Sequence, residues 1–222
     1  MPPRKPSRHR FSTTRRPKTS SGDDLNAPTP HLADPLLDQA VRGLASRLAR
    51  LTPDPLRVAR RRDELRDAIL RNSLRINRPN FTQLDERDLQ LLFNLTDLSF
   101  FAGGLAAITR QAPGRSLTFR VSRRVTRAAG KTYCLQKRSG PDQVGSIGFE
   151  IAISTTLLLE SFREPDAAAI LVCGRPCVDR LDALMRVFEH EVIHLVEFAV
   201  WGCSSCARPR YRDLAHRVFD HH

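Results

Sequence analysis

Residues 181–201 read LDALMRVFEHEVIHLVEFAVW, the most informative stretch of the chain. Its apolar side chains recur every three or four positions, which is the spacing of one buried face of an α-helix. Asp179 and Asp182 stand near its start, where a carboxylate stabilises the positive end of a helix, and Gly202 follows as a natural stop. We therefore predict a largely buried helix of roughly 20 residues.

The second half of this helix contains His190-Glu191-Val192-Ile193-His194, an H-E-x-x-H motif. Residues four apart lie on one helical face, so the two imidazoles can bind a single metal ion. Zinc is the metal that this pattern favours, and Glu191 stands where it can take a proton from a zinc-bound water. The alternative is a surface helix with two solvated histidines, but the apolar residues around the motif argue against it.

The composition indicates a folded chain without a membrane segment. The 222 residues are 41% hydrophobic, which allows one domain with extensions. The longest apolar runs are too short to cross a bilayer, and the N-terminus lacks the apolar stretch of a secretory signal. The odd number of cysteines in such a chain favours reduced thiols. We therefore expect a cytoplasmic rather than a secreted protein.

The formal net charge of +12 predicts an anionic partner, of which nucleic acid is the simplest. Residues 1–34 are rich in Pro, Ser, Thr and Arg and have no acidic residue before Asp23, so we predict a disordered basic arm. A transit peptide is the second interpretation of this segment, although its prolines disfavour an amphipathic helix. If DNA is the partner, association with a nucleoid follows.

The remaining patterns predict a mixture of helices and strands. Residues 35–51, 55–74, 85–100, 154–162 and 208–219 have helical patterns, and alternating apolar residues predict strands near 117–121, 132–135 and 147–153. The second helix carries Arg60, Arg61 and Arg62, which are candidates for phosphate contact. The alternative is a solvated face whose arginines pair with neighbouring carboxylates.

Four phrases in the order found here resemble SprT-like zinc metallopeptidases, a family that includes the DNA–protein-crosslink protease Spartan. The resemblance covers roughly residues 85–222. The phrases are Phe100-Phe101-Ala102-Gly103-Gly104-Leu105, then Ala129-Gly130-Lys131 as the turn of a β-hairpin, then the strand and helix start over 151–158, and last the H-E-x-x-H motif. The resemblance implies an α+β, zincin-like fold, in which helices and the active-site helix pack on a small antiparallel sheet.

The chain departs from this family at the third metal ligand. The family supplies a histidine after the motif helix, and Ala207 occupies that position here. Cys206 is our first choice, because a thiolate is a strong zinc ligand. The alternatives are Cys203, His216 and His221. Glu197 shares a helical face with His194, and we expect it to support a ligand through a hydrogen bond.

These observations lead to one main prediction and two alternatives. The main prediction is a zinc-dependent endopeptidase with one Zn²⁺ per chain, Glu191 as the general base and a protein substrate, extended by the net charge to substrates held on DNA. Its domains would be the arm at 1–34, a helical extension at 35–82 and a SprT-like metallopeptidase domain at 83–222. The first alternative is a nucleic-acid-binding protein with a structural zinc site and no proteolytic activity. The second is an inactive scaffold that has lost its third metal ligand and holds no zinc tightly.

Overall fold

The computed structural model describes residues 34–124, 128–137, 146–160, 162 and 170–221. The predicted basic arm, apart from its last residue, lies outside these ranges. The described chain is a mixed α and β structure, as predicted.

Seven helices and five strands make up the described part of the chain. The helices are α1 Pro35–Ala49, α2 Pro55–Asn72, α3 Glu86–Thr96, α4 Gly104–Ala106, α5 Thr155–Glu160, α6 Arg180–Trp201 and α7 Pro209–Phe219. Short π-helical segments extend α3 over Asp97–Phe101 and α4 over Ala107–Gln111. The strands are β1 Arg115–Ser122, β2 Gly130–Lys137, β3 Ser146–Ser154, β4 Ile170–Val172 and β5 Arg175–Cys177. The sequence patterns located most of these elements but missed the short hairpin of β4 and β5.

The main sheet is mixed, so the predicted antiparallel sheet is wrong. Its strand order is β1-β3-β2, with β1 parallel and β2 antiparallel to β3. The most continuously apolar strand, β3, is in the centre because its C-terminal half is buried on both faces. The predicted hairpin turn at Ala129-Gly130-Lys131 is also absent, because β1 and β2 are not neighbours. Gly130 instead begins β2 and pairs with Ile153 of β3.

Helix α6 lies against this sheet and is the centre of the core. Its boundaries agree with the prediction: the Asp179 side chain accepts a hydrogen bond from Asp182 N, and Gly202 ends the helix with a φ of 69°. Most of its side chains are buried. Helices α1 and α2 contribute residues such as Leu44 and Ile69 to the same buried cluster. The predicted extension and the predicted metallopeptidase domain therefore share one core.

The chain bends sharply between α3 and α4. Ala102 and Gly103 both have positive φ, and the buried Asp97 carboxylate accepts hydrogen bonds from Leu105 N and Ala106 N. These bonds satisfy the first donors of α4, so the carboxylate stabilises the turn.

Within the described residues, no single helix is long and apolar enough to cross a membrane. Among the described residues, only the pair Glu86–Phe101 and Gly104–Gln111, which meet at 112°, has the length and composition of a span when both segments are taken together.

Candidate metal centre

Helix α6 and the chain reversal that follows it bring three possible metal ligands together. Helix α6 presents His190 and His194 one turn apart, and the chain reverses after Gly202 so that Cys206 lies beside them. The Nε2 atoms of the two histidines are 3.3 Å apart, and Cys206 Sγ lies 3.5 Å from His190 Nε2 and 3.0 Å from His194 Nε2. These three side chains could hold a metal ion.

The spacing of these donor atoms fits tetrahedral zinc. Zn–N bonds of about 2.05 Å and a Zn–S bond of about 2.3 Å at tetrahedral angles separate two nitrogens by about 3.3 Å and nitrogen from sulfur by about 3.5 Å. Two of the three observed separations have these values, and the third is about half an ångström shorter. Imidazole nitrogen and thiolate sulfur are also the donors that zinc prefers. A tetrahedral ion held by these three donors would keep a fourth position for water or substrate.

A hydrogen-bonded chain fixes the orientation of His194. Its Nδ1 lies 2.6 Å from Ser204 Oγ, which in turn donates to Glu197 Oε2 at 2.6 Å. Because the single hydroxyl proton of Ser204 goes to the carboxylate, its oxygen must accept from His194 Nδ1–H. The lone pair of His194 therefore lies on Nε2, which faces the other two donors. Glu197 is fully buried and is held by Arg210 Nε at 2.9 Å.

His190 is held from its other side. Cys173 Sγ lies 3.7 Å from His190 Nδ1, and the hydroxyl of Tyr211 donates to the His190 carbonyl at 3.1 Å. The Tyr211 ring also packs against both imidazoles, with its centroid 4.5 Å from that of His194. Burial and the neighbouring His194 and His221 lower the pKa of His190 to about 3, and burial lowers the pKa of His194 to about 4. Both histidines are therefore neutral at pH 7, which is the form that binds metal.

Without a metal ion, Cys206 is a neutral thiol at pH 7. Burial, together with the charge of Glu191, raises its pKa to about 11 in the metal-free chain. A metal ion must therefore displace a proton from Cys206 when it binds.

Glu191 is buried between α6 and β2. Thr132 Oγ1 lies 2.8 Å from Glu191 Oε2 and 2.9 Å from its backbone carbonyl. Burial raises the pKa of Glu191 to about 7, although hydrogen bonds from Thr132 and the charge of Lys131 act in the opposite direction. Such a carboxyl group can both accept and donate a proton near neutral pH.

Gly130 provides the space for this carboxylate. A Cβ atom added at Gly130 would lie 2.7 Å from Glu191 Cγ and 2.9 Å from Val187 Cγ1. No real Cβ atom tolerates such distances, so β2 approaches α6 this closely because residue 130 is glycine.

The other three candidate ligands do not join the cluster. Cys203 Sγ accepts instead from Arg208 Nη1 at 3.2 Å. His216 is half exposed and lies 3.8 Å from Asp220 Oδ1. His221 is buried and directs Nε2 to Glu189 Oε2 at 2.8 Å. Among the described residues, only the His190, His194 and Cys206 side chains converge as a possible metal site.

The arginines proposed for nucleic-acid contact separate into two groups. Arg60 is exposed and pairs with Glu64, and Arg61 lies over the ring of Phe100. Arg62 points inward instead: it forms two bonds of 2.9 Å with the Glu189 carboxylate and a third with the Phe219 carbonyl. Arg62 is therefore a buried structural residue, and its assignment as a phosphate contact is wrong.

Sequence patterns missed five residues that surround the site: Gly130, Thr132, Cys173, Ser204 and Tyr211. Four of them reach the motif helix from β2, the β4–β5 turn or α7, so their contacts depend on the fold. Only Ser204 had a local signal, since it lies between the candidate ligands Cys203 and Cys206.

No protein family, curated protein or solved structure matches the chain.

Proposed function

We propose that this protein is a zinc-dependent endopeptidase of the SprT-like kind. The observation that carries the proposal is the convergence of His190, His194 and Cys206 beside the buried carboxyl group of Glu191. A purely structural zinc site has no use for a carboxyl group whose pKa is raised to about 7.

Zinc bound here would polarise the scissile carbonyl and lower the pKa of a water molecule. Glu191 accepts the proton of the attacking water and then donates it to the leaving amine. Thr132 holds the carboxylate in place through Oε2, so the other oxygen remains for proton transfer. The Cys206 thiolate donates more charge than a third imidazole, and we therefore expect weaker activation of water near neutral pH than in a three-histidine site.

The position of β2 suits an extended peptide substrate. β2 is an edge strand of the main sheet, and two of its residues, Gly130 and Thr132, contact Glu191. Within the described residues, its outer edge has no strand partner. A peptide could add to this edge through backbone hydrogen bonds, and its scissile bond would then lie beside Glu191.

The charge supports substrates that are held on DNA. The net charge of the chain is +12, and the exposed face of α2 carries Arg60. Positive charge of this size attracts phosphate groups without reading their sequence. We propose that DNA brings protein substrates to the chain, without taking part in the chemistry.

The test is cleavage of casein by the zinc-loaded protein, with and without DNA and a chelator. The Glu191→Gln variant keeps the shape of the side chain but cannot accept the proton, so we expect at least a hundredfold loss of cleavage. Glu64→Gln is the matched control, because Glu64 is exposed on α2 and far from the cluster in sequence. Equal cleavage by Glu191→Gln and the parent would reject the proposal. Bound zinc without cleavage under any condition would favour the structural zinc site instead.

A further inference from the structure

A cavity of about 500 Å³ adjoins the candidate metal centre on its α7 side. His190 and Cys206 form one part of its wall, and Arg212, His216 and His221 form another. Glu191 does not line it, because that side chain points toward β2. The cavity is therefore separate from the place of proton transfer but reaches two of the metal-binding candidates. A volume of this size accommodates a residue side chain.

The charges around this cavity favour an anion. Arg212 lies on its wall and forms no ion pair with any described residue. No carboxylate is among the described residues that line the cavity. The carboxylates behind the wall are already engaged: Asp220 pairs with Arg175 and contacts His216, and Glu189 pairs with Arg62.

His221 lines the cavity without offering it a hydrogen bond. It is only 6% exposed, and its Nε2–H donates to Glu189 at 2.8 Å. Its Nδ1 makes no hydrogen bond to a described residue, but it has almost no accessible surface, so a ligand in the cavity cannot reach it. The charge preference of the cavity therefore depends on Arg212, whose guanidinium favours an anion and repels a cation.

We propose that this cavity is a specificity pocket for an acidic side chain of the substrate, next to the bond that is cleaved. The proposal rests on the proposed peptidase function, because that function places the scissile bond at the metal centre. A glutamate carboxylate would then contact the guanidinium of Arg212. An isosteric glutamine would keep the size of the side chain but lose the charge interaction.

The experiment compares quenched fluorescent peptides in which glutamate or glutamine occupies each of the positions that flank the cleaved bond. We expect the parent to prefer glutamate at one position by about two- to fivefold in kcat/KM, which is the effect of one solvent-accessible charge pair. Arg212→Gln should remove this preference, and Arg212→Glu should transfer it to peptides with lysine at that position. Arg87→Gln, which changes an exposed arginine of α3 outside the cavity, should leave it unchanged.

Binding of the same peptides distinguishes the failure of this inference from the failure of the peptidase proposal. Fluorescence anisotropy would measure their affinity for the zinc-loaded Glu191→Gln variant, with and without Arg212→Gln. Tighter binding of glutamate peptides that depends on Arg212 supports the pocket even if no peptide is cleaved. Cleavage in which the parent treats glutamate and glutamine alike, or in which Arg212→Gln keeps the preference, overturns it.

Discussion

Replacing Ser204 by alanine tests how the fold prepares His194 to bind metal. Ser204 accepts from His194 Nδ1 and donates to Glu197 Oε2, both at 2.6 Å. In the metal-free Ser204→Ala variant, the imidazole can move its proton to Nε2 and so avoid an unpaired Nδ1–H. In the metal-bound state the imidazole cannot shift its proton in this way, because Nε2 binds the metal. The penalty therefore acts mainly on the bound state and weakens metal binding.

The magnitude follows from the burial of the pair. An unsatisfied buried donor costs about 1–3 kcal/mol, and each 1.4 kcal/mol is a factor of about ten in affinity. We expect zinc to bind about 10- to 100-fold more weakly, in line with the usual effect of losing such a supporting group. The assay is competition for zinc against a fluorescent chelator at fixed pH.

Ser205→Ala is the matched control for this measurement. Ser205 is the next residue in the same turn, and its Oγ accepts only from Ala207 N at 3.3 Å, among the bonds of the described residues. Its backbone N–H still donates to Glu197 after the change. An affinity of Ser204→Ala within twofold of the parent, or an equal loss in Ser205→Ala, would refute the proposed role of Ser204.

Three further predictions concern protonation, packing and charge. Both histidines are neutral above their pKa values of about 3 and 4, whereas the Cys206 thiol, with a pKa of about 11, must lose its proton to bind zinc. Zinc affinity should therefore rise about tenfold for each pH unit between about pH 6 and about pH 9, with one proton released per zinc bound. A flat pH profile in the same chelator assay would contradict this. Gly130→Ala places a Cβ atom 2.7 Å from Glu191 Cγ, so we expect about 1–3 kcal/mol of destabilisation in thermal unfolding and slower cleavage; unchanged values would show that β2 can move away. Arg62→Ala removes both guanidinium bonds to the buried Glu189, which keeps only its hydrogen bond with His221, and should lower the free energy of unfolding in urea by about 3–5 kcal/mol. Arg60→Ala should change it by less than about 1 kcal/mol, and similar effects of the two would contradict the inward position of Arg62.

Local patterns were sufficient to locate the motif helix. Asp179 and Gly202 are end signals that lie within or next to the helix, and the spacing of His190 and His194 places both on one face whatever packs against it. The position of Cys206 could also be proposed from sequence, because twelve residues after His194 leave room for one reversal of the chain.

Non-local pairing explains what local patterns could not predict. Alternating apolar residues identify β1, β2 and β3, but the order of the strands depends on which one is buried on both faces. The α2 arginines show the same limit. Arg60 and Arg62 are two positions apart on one helix, yet only Arg62 faces a carboxylate from α6, which lies 127 residues later in the chain.

Stepwise addition of zinc to the metal-free protein, with casein cleavage measured at each addition, tests whether His190, His194 and Cys206 hold a catalytic metal. If they do, the cleavage rate should rise linearly with added zinc and reach a plateau at one zinc per chain. Cys206→Ala should neither retain zinc nor cleave, whereas Cys203→Ala, the same change three residues earlier, should behave as the parent. Cleavage that does not depend on zinc, or a Cys206→Ala variant with full zinc and full activity, would contradict this assignment of the metal site.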